Sequence, residues 1–254
     1  DAQPVGQFYT IHADMAEPYN VYGGLQDNGT LRGSSRTRWE LGPDWTFLNG
    51  GDGMYVAVDG EDRHTYTGYQ FGNYTRHDAD GKRHEVRPRS PLSEPPLRYN
   101  WATPVMVSPH NAQVVYFAAN RLYRSFDKAK TFQPISPDLS RSKERGNVPF
   151  GTITSLSEST RRFGLLATGT DDGQVHVSRD GGLNWQDVGD GLPRDRWAVD
   201  RDELHRLLMA EGIGANVHYL PVHLHAYHQA QGARVGQCPV AEAAYAELLT
   251  LPLH

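Results

Sequence analysis

The chain has 254 residues, a formal charge of −5, and 38% hydrophobic against 22% charged residues. This allows one large or two small globular domains. It gives no electrostatic reason to expect nucleic acid as a partner, and no stretch nears the ~18 uninterrupted apolar residues of a membrane-spanning helix. The single cysteine, Cys238, excludes an internal disulfide framework. With 26 Gly, 16 Pro, 13 Tyr and 5 Trp, the composition favours tight turns and aromatic-rich strands over helices. The chain opens at Asp1 without a charged-then-apolar leader, which is the look of a processed chain or a fragment and puts any export signal out of sight.

In chain order, residues 1–193 predict short strands broken by turns. Apolar runs at 54–58, 114–118 and 165–168 are each followed by Gly, Asp, Asn or Pro. Three segments overlay with a period near fifty residues: one ends at Asp78, the next at Asp127 and the third at Asp180. Each reads as strand, turn, strand, turn, strand, polar turn and last strand. A repeat of ~40–50 residues made of four strands is the pattern of a β-propeller blade. The expected fold is therefore mainly β, an incomplete β-propeller of about three to four blades, with a β-sandwich as the alternative. Open blade edges would be exposed.

The sharpest local motif is Ser178-Arg179-Asp180-Gly181-Gly182-Leu183-Asn184-Trp185, which fits the Asp-box pattern S-x-D-x-G-x-x-W. An Asp in a tight turn accepts backbone N–H bonds, Gly permits positive φ, and Trp covers the hairpin. Ser178, Asp180, Gly182 and Trp185 are thus structural. Asp127 sits in a worn copy, Ser125-Phe126-Asp127-Lys128-Ala129, where Ala stands for Gly. Catalysis by two carboxylates across a cleft would need them roughly 5–9 Å apart. Asp27, Asp52, Asp171 and Asp172 all lie in turn tripeptides, and no spacing pairs them. If the propeller has a binding face, for protein or glycan, Gln26, Asp27, Asn28 and Asp52 are the first candidates.

The stretch from Pro18 through Gly23-Gly24-Leu25-Gln26-Asp27-Asn28-Gly29 to Thr30 resembles the sortilin-type, Asp-box (BNR) propellers of the sialidase-like superfamily. So do Gly50-Gly51-Asp52-Gly53, Ser136-Pro137-Asp138-Leu139-Ser140 and Gly169-Thr170-Asp171-Asp172-Gly173. The resemblance implies an exported scaffold or binding module, with a glycosidase-like hydrolase as an alternative. Sialidase relatives use three arginines, a Tyr–Glu pair and an Asp. Arg32, Arg36 and Arg38 lie on one loop and do not map onto that cluster.

Near residue 194 the grammar changes to helix. Residues 202–211 carry apolar side chains at helical spacing with acidic residues in the first turn, Gly212 follows as a stop, 217–220 reads as a strand, and 240–249 is rich in Ala, Glu and Leu. Glu211-Gly212-Ile213 through His218-Tyr219-Leu220-Pro221-Val222-His223 and the Pro239-Val240-Ala241-Glu242 run resemble the C-terminal segment of the DegT/StrS sugar-nucleotide aminotransferases, which use pyridoxal phosphate. That resemblance places His218, Tyr219 and His223 on the substrate side of a cleft. A metal site at His218, His223, His225 and His228 is the other reading of these histidines. Transamination needs a lysine, and none follows Lys143. The expectation is no cofactor in this chain, with pyridoxal phosphate bound only if the missing aminotransferase domain were present. The domains expected are 1–193, a partial propeller, and 194–254, a small α/β tail, as a joined reading frame or a fusion would place them. The first part suggests export and the tail the cytoplasm, so the compartment stays open.

Overall fold

The computed structural model describes residues 7–36, 45–61, 63–141, 149–189, 201–210 and 220–247. Among these residues, sixteen strands form four four-stranded antiparallel sheets, each made of four consecutive strands. The first holds β1 (Phe8–Ala13), β2 (Asn20–Leu25), β3 (Gly29–Ser34) and β4 (Trp45–Asn49). The second holds β5 (Val56–Val58), β6 (Thr65–Tyr69), β7 (Asn73–His77) and β8 (Arg83–Val86). β9 (Val105–Ser108), β10 (Asn111–Ala118), β11 (Leu122–Ser125) and β12 (Gln133–Pro134) make the third. β13 (Ile153–Glu158), β14 (Leu166–Thr170), β15 (Val175–Ser178) and β16 (Gln186–Asp187) make the fourth. The first strands of successive sheets touch: β1 meets β5, β5 meets β9, and β9 meets β13. Meandering sheets joined side by side along their first strands are the blades of a β-propeller.

The core lies between sheets. Tyr22 and Leu48 of the first sheet pack on Val56 of the second. Tyr66 and Tyr74 of the second pack with Val115, Phe117 and Tyr123 of the third. Met106, Tyr116 and Leu122 of the third meet Ile153, Leu156 and Leu166 of the fourth. Strand alternation explains this: each strand sends alternate side chains to its two neighbouring sheets, so both faces are apolar.

A cross-strand pair recurs at one register position. Tyr22 faces Arg32, Tyr66 faces Arg76, and Tyr116 faces Arg124. In the second and third sheets the arginine reaches the next blade. Arg76 Nη1 donates to the Lys128 carbonyl at 2.7 Å, and Arg124 Nη1 donates to the Gly181 carbonyl at 2.9 Å. Trp185 reaches the other way, with Nε1 donating to the Ile135 carbonyl of the third sheet at 2.7 Å. Buried carbonyls need a donor, and these three come from a neighbouring sheet, so the blades are latched as well as packed. In the fourth sheet the equivalent positions are Ala167 and Val177.

The tail contains α1 (Arg201–Ala210), a 3₁₀ turn at Val222–Leu224, α2 (Ala226–Ala230) and α3 (Pro239–Glu247). Pro239 opens α3, where a missing N–H costs nothing. The strand expected at 217–220 and the junction at 193–196 lie outside the described residues, Leu220 excepted. α2 has no counterpart among the expected elements, and it carries His228 of the expected metal reading. No helix among the described residues is long and apolar enough to cross a membrane.

Candidate functional site

Antiparallel meanders put the β2–β3 and β4–β5 connections at one end of the stack, together with their equivalents in the other sheets. The structure brings Gln26, Asp27, Asn28 and Asp52 together there. Asp52 is buried and its Oδ1 accepts the Asp27 N–H at 2.7 Å. Gly29 N donates to Gly51 O and Gly53 N to Leu25 O, each at 2.9 Å. Asn28 Nδ2 bonds the Gln26 carbonyl at 2.9 Å. Asp27 takes the left-handed φ of +59°, which leaves its side chain and that of Asn28 exposed on a turn that is itself tied down. Asp52 is therefore a clamp, and Gln26, Asp27 and Asn28 form the accessible rim.

The fourth sheet repeats this logic. Asp171 Oδ1 accepts the N–H groups of Gly151 and Thr152 at 2.9 Å, and its Oδ2 accepts the Thr152 hydroxyl at 2.6 Å. Between them, Arg98 Nη2 donates to Asp138 Oδ2 at 2.8 Å and Ser140 Oγ at 2.7 Å, while Arg98 Nε reaches the Gly151 carbonyl at 3.1 Å. Partial burial opposes ionisation of Asp138, but donors from Ser140, Arg98 and Asn120 outweigh it and hold its pKa below the ordinary value. Arg98 escaped the sequence reading because it sits in a proline-rich connection without a repeat partner.

The opposite end carries the Ser–Asp turns. Ser178 Oγ donates to Asp180 Oδ1 at 3.0 Å and accepts the Gly182 N–H at 2.8 Å; Asp180 then accepts Asn184 N at 2.9 Å and Nδ2 at 2.7 Å. Bond for bond, Ser125 Oγ donates to Asp127 Oδ1 at 2.7 Å and accepts Ala129 N at 2.8 Å, and Asp127 accepts Thr131 N at 2.8 Å and Oγ1 at 2.7 Å. Lys128 and Ala129 adopt φ of +60° and +63°, where the later copy has Gly181 and Gly182 at +72° and +93°. At Asp127 burial works against the charge, yet the Thr131 and Ser125 donors win and set its pKa at about 2. Asp78, aligned with these two by spacing, is built differently: it accepts Arg76 Nε at 2.6 Å and pairs with His84 Nε2 at 3.0 Å. Trp185 bonds the third sheet rather than only covering its own hairpin.

Two buried carboxylates were not read from sequence. Asp59 pairs with Lys128 Nζ at 2.9 Å and His64 Nδ1 at 3.3 Å, joining the second and third sheets. Glu158 accepts Ser108 Oγ at 2.6 Å, Tyr116 OH at 2.9 Å and Gly164 N at 2.8 Å. It edges a cavity of about 200 Å³ between the first strands, walled by Val56, Val58, Val105, Val107 and His12. Burial, then the Glu158 charge, pushes the Tyr116 hydroxyl far above its ordinary pKa.

In the tail, His223 Nε2 lies 2.7 Å from Glu242 Oε1, and Glu242 also accepts Gly236 N at 2.8 Å. The His223 contact, then the Gly236 N–H, lowers the Glu242 pKa. His218 and Tyr219 fall outside the described residues. Among the described residues no three or more His, Cys, Asp or Glu are grouped to hold a metal ion.

Comparison with known proteins gives two unrelated likenesses. Residues 174–254 match the model of the DegT/DnrJ/EryC1/StrS aminotransferase family. That span begins just before β15, inside the fourth sheet. Among solved structures, the GH74 xyloglucanase from Xanthomonas campestris is 19% identical with a TM-score of 0.49, over 71% of this chain and 29% of that one. YCF48 from Cyanidioschyzon merolae is 13% identical with a TM-score of 0.48, over 73% of this chain and 57% of that one. The β-propeller domain of Cps50 (Swd1) from Myceliophteria thermophila is 14% identical with a TM-score of 0.46, over 70% and 53%. The chain thus spans less than two thirds of each. No curated protein matches it.

Pyridoxal phosphate, which the matched family uses, does not fit the residues present. Its enzymes hold it covalently through a lysine amine. The chain's four lysines are Lys82, Lys128, Lys130 and Lys143, none in the matched segment. Lys128 is tied to buried Asp59, and Lys82 pairs with Asp80 at 2.7 Å, both within the sheets.

Proposed function

We propose that this chain is a β-propeller scaffold of the sortilin-like, Asp-box kind that binds a polar ligand on the end carrying Gln26, Asp27 and Asn28. The supporting observation is the division of labour at that end. Asp52, Asp138 and Asp171 are spent on holding loops, while the three rim side chains project from a backbone that needs no ordering on binding. A rigid rim keeps the entropic cost of association low. The same bonds argue against a hydrolase there, because the carboxylates it would draw on already serve backbone donors. The ligand class is a glycan or a polar peptide segment, bound mainly by hydrogen bonds. Screening the full chain on arrays of both, followed by the triple variant Gln26→Ala, Asp27→Ala, Asn28→Ala, tests this. Binding should weaken at least tenfold. Unchanged affinity would refute the assignment of the face.

We put the boundary between scaffold and tail at 193–194. The tail's likeness to aminotransferases suggests transaminase chemistry, but without a lysine the tail acts here as an appendage. Incubation with pyridoxal phosphate and an amino donor should give no visible Schiff-base band and no turnover, and a stoichiometric band would contradict this.

A further inference from the structure

The connection from β8 to β9 lies at the same end as the rim but on another loop, and its residues 87–99 line a cavity of about 510 Å³. The walls are of two kinds. Pro91, Leu92 and Leu97 are apolar, while Arg87 and Arg89 are cationic and exposed. Glu94 also borders the cavity, but its Oε2 accepts Arg121 Nη1 at 2.9 Å. Arg87 is fixed from three sides. Its Nη1 donates to Asn73 Oδ1 and its Nη2 to the Phe71 carbonyl, each at 2.9 Å, and its guanidinium carbon sits 4.3 Å from the centroid of the Tyr99 ring. None of these three partners is a carboxylate, and each of the two nitrogens keeps a second N–H. Phe71 holds a φ of +62°, which bulky side chains rarely take, and its own N–H donates to the Trp101 carbonyl at 3.2 Å. Strain of this kind persists where neighbours over-determine it. Arg89 has no hydrogen bond or ion pair among the described residues.

The loop is also closed on itself. Ser90 Oγ donates to the Pro95 carbonyl at 2.8 Å, Glu94 N to the Pro91 carbonyl at 3.0 Å, and the Tyr99 hydroxyl to the Pro88 carbonyl. Prolines at 88, 91, 95 and 96 restrict its backbone further. The walls are thus braced before anything binds, which keeps the entropic cost of binding low. A guanidinium fork matches the two oxygens of a carboxylate, and apolar walls match a hydrocarbon body. We propose that this cavity binds an organic monocarboxylate with an apolar body, the carboxylate on Arg87 and Arg89 and the body against Pro91, Leu92 and Leu97. A compact inorganic anion would meet the same charges but leave the apolar walls uncovered. The site does not depend on the rim of Gln26, Asp27 and Asn28, which a different loop carries, so either assignment can fail alone.

Titration calorimetry of the full chain with benzoate as the probe tests it, at low ionic strength because salt screens exposed charges. Benzoate should saturate one site. Benzamide, which keeps the ring without the charge, and acetate, which keeps the charge without the ring, should each bind at least tenfold more weakly. Arg89→Gln and Leu92→Glu, both at exposed positions where folding is not at stake, should each weaken benzoate binding at least tenfold. Arg83→Gln, which removes the same charge from an exposed arginine outside the cavity, should leave it unchanged. The proposal is overturned if benzoate shows no saturable binding, if acetate binds as tightly as benzoate, or if Arg89→Gln keeps wild-type affinity. An Arg83→Gln chain that loses as much affinity as Arg89→Gln would overturn it too, since net charge alone would then account for binding.

Discussion

The four sheets and the tail are held together by different means. In the sheets, Tyr66, Tyr116, Phe117, Met54 and Leu122 are fully buried, and arginine, lysine and tryptophan side chains bond across from one blade to the next. In the tail, none of the residues with a described environment is buried, and Val235 and Val240 are 75% and 83% exposed. Arg161 Nη1 donates to the Ala210 carbonyl at 3.4 Å between the two. The difference teaches that the strands exist because neighbouring sheets cover both their faces, a cover that the described side chains of α1 and α3 do not have.

The largest way to break this contrast is at a latch. Arg76 is buried, bonds Asp78 and caps the Lys128 carbonyl. Arg76→Ala leaves half-buried Asp78 with only its histidine partners, His84 and His64, and takes the side-chain donor from the Lys128 carbonyl, and should cost about 3 kcal/mol in chemical denaturation. A loss under about 1 kcal/mol would show that packing, not the latch, joins the second and third sheets.

Next comes Gly182. Its φ is +93°, and a Cβ there would lie 2.6 Å from the Ile135 carbonyl oxygen. Gly182→Ala should destabilise by about 2 kcal/mol, from the left-handed backbone plus the clash. The third sheet carries Ala129 in the same turn at a φ of +63°, with its methyl in the cluster shared by the second and third sheets. Equal stability of Gly182→Ala and wild type would sink the equivalence drawn between the two turns.

A smaller, pH-dependent effect belongs to Asp127. Its folded pKa of about 2 lies below the ordinary 3.8, so its contribution is present above about pH 4 and lost as pH falls through about 2. Asp127→Asn should cost about 1 kcal/mol at neutral pH, and the gap from wild type should close between about pH 4 and 2. A gap independent of pH would assign the turn to shape rather than charge.

Smallest are the tail substitutions. Leu207→Ala and Val240→Ala, at exposed positions, should move the main unfolding transition by less than about 0.5 kcal/mol. A larger shift would mean that the tail shares the core of the sheets.

Much of this contrast was legible in the sequence. The fifty-residue period located the second, third and fourth sheets, since its three segments begin at the ends of β5, β9 and β13. Ser178-x-Asp180 and Ser125-x-Asp127 marked equivalent turns because the bonding is local. Asp78 shared only the spacing, and its arginine and histidine partners replace the serine. The first sheet was hard to see because it lacks a recognisable Ser–Asp turn; Tyr22 and Arg32, ten residues apart like Tyr66 and Arg76, were the usable signal. At the candidate site, the turn tripeptides located Gln26, Asp27, Asn28 and Asp52, but only three dimensions separate the clamp from the rim. Glu158 reads as a surface residue after Ser157 and is buried only because Tyr116 and Ser108 of another sheet meet it. Such long-range partners leave no local pattern.

Hydrogen exchange on the full chain tests the central claim, a latched stack of sheets carrying a coreless tail. Amides of β10 and β14 should exchange slowest, at rates set by global unfolding, while those of α1 and α3 exchange near the unprotected rate. Protection of α1 and α3 equal to that of β10 would contradict it and make sheets and tail one cooperative unit.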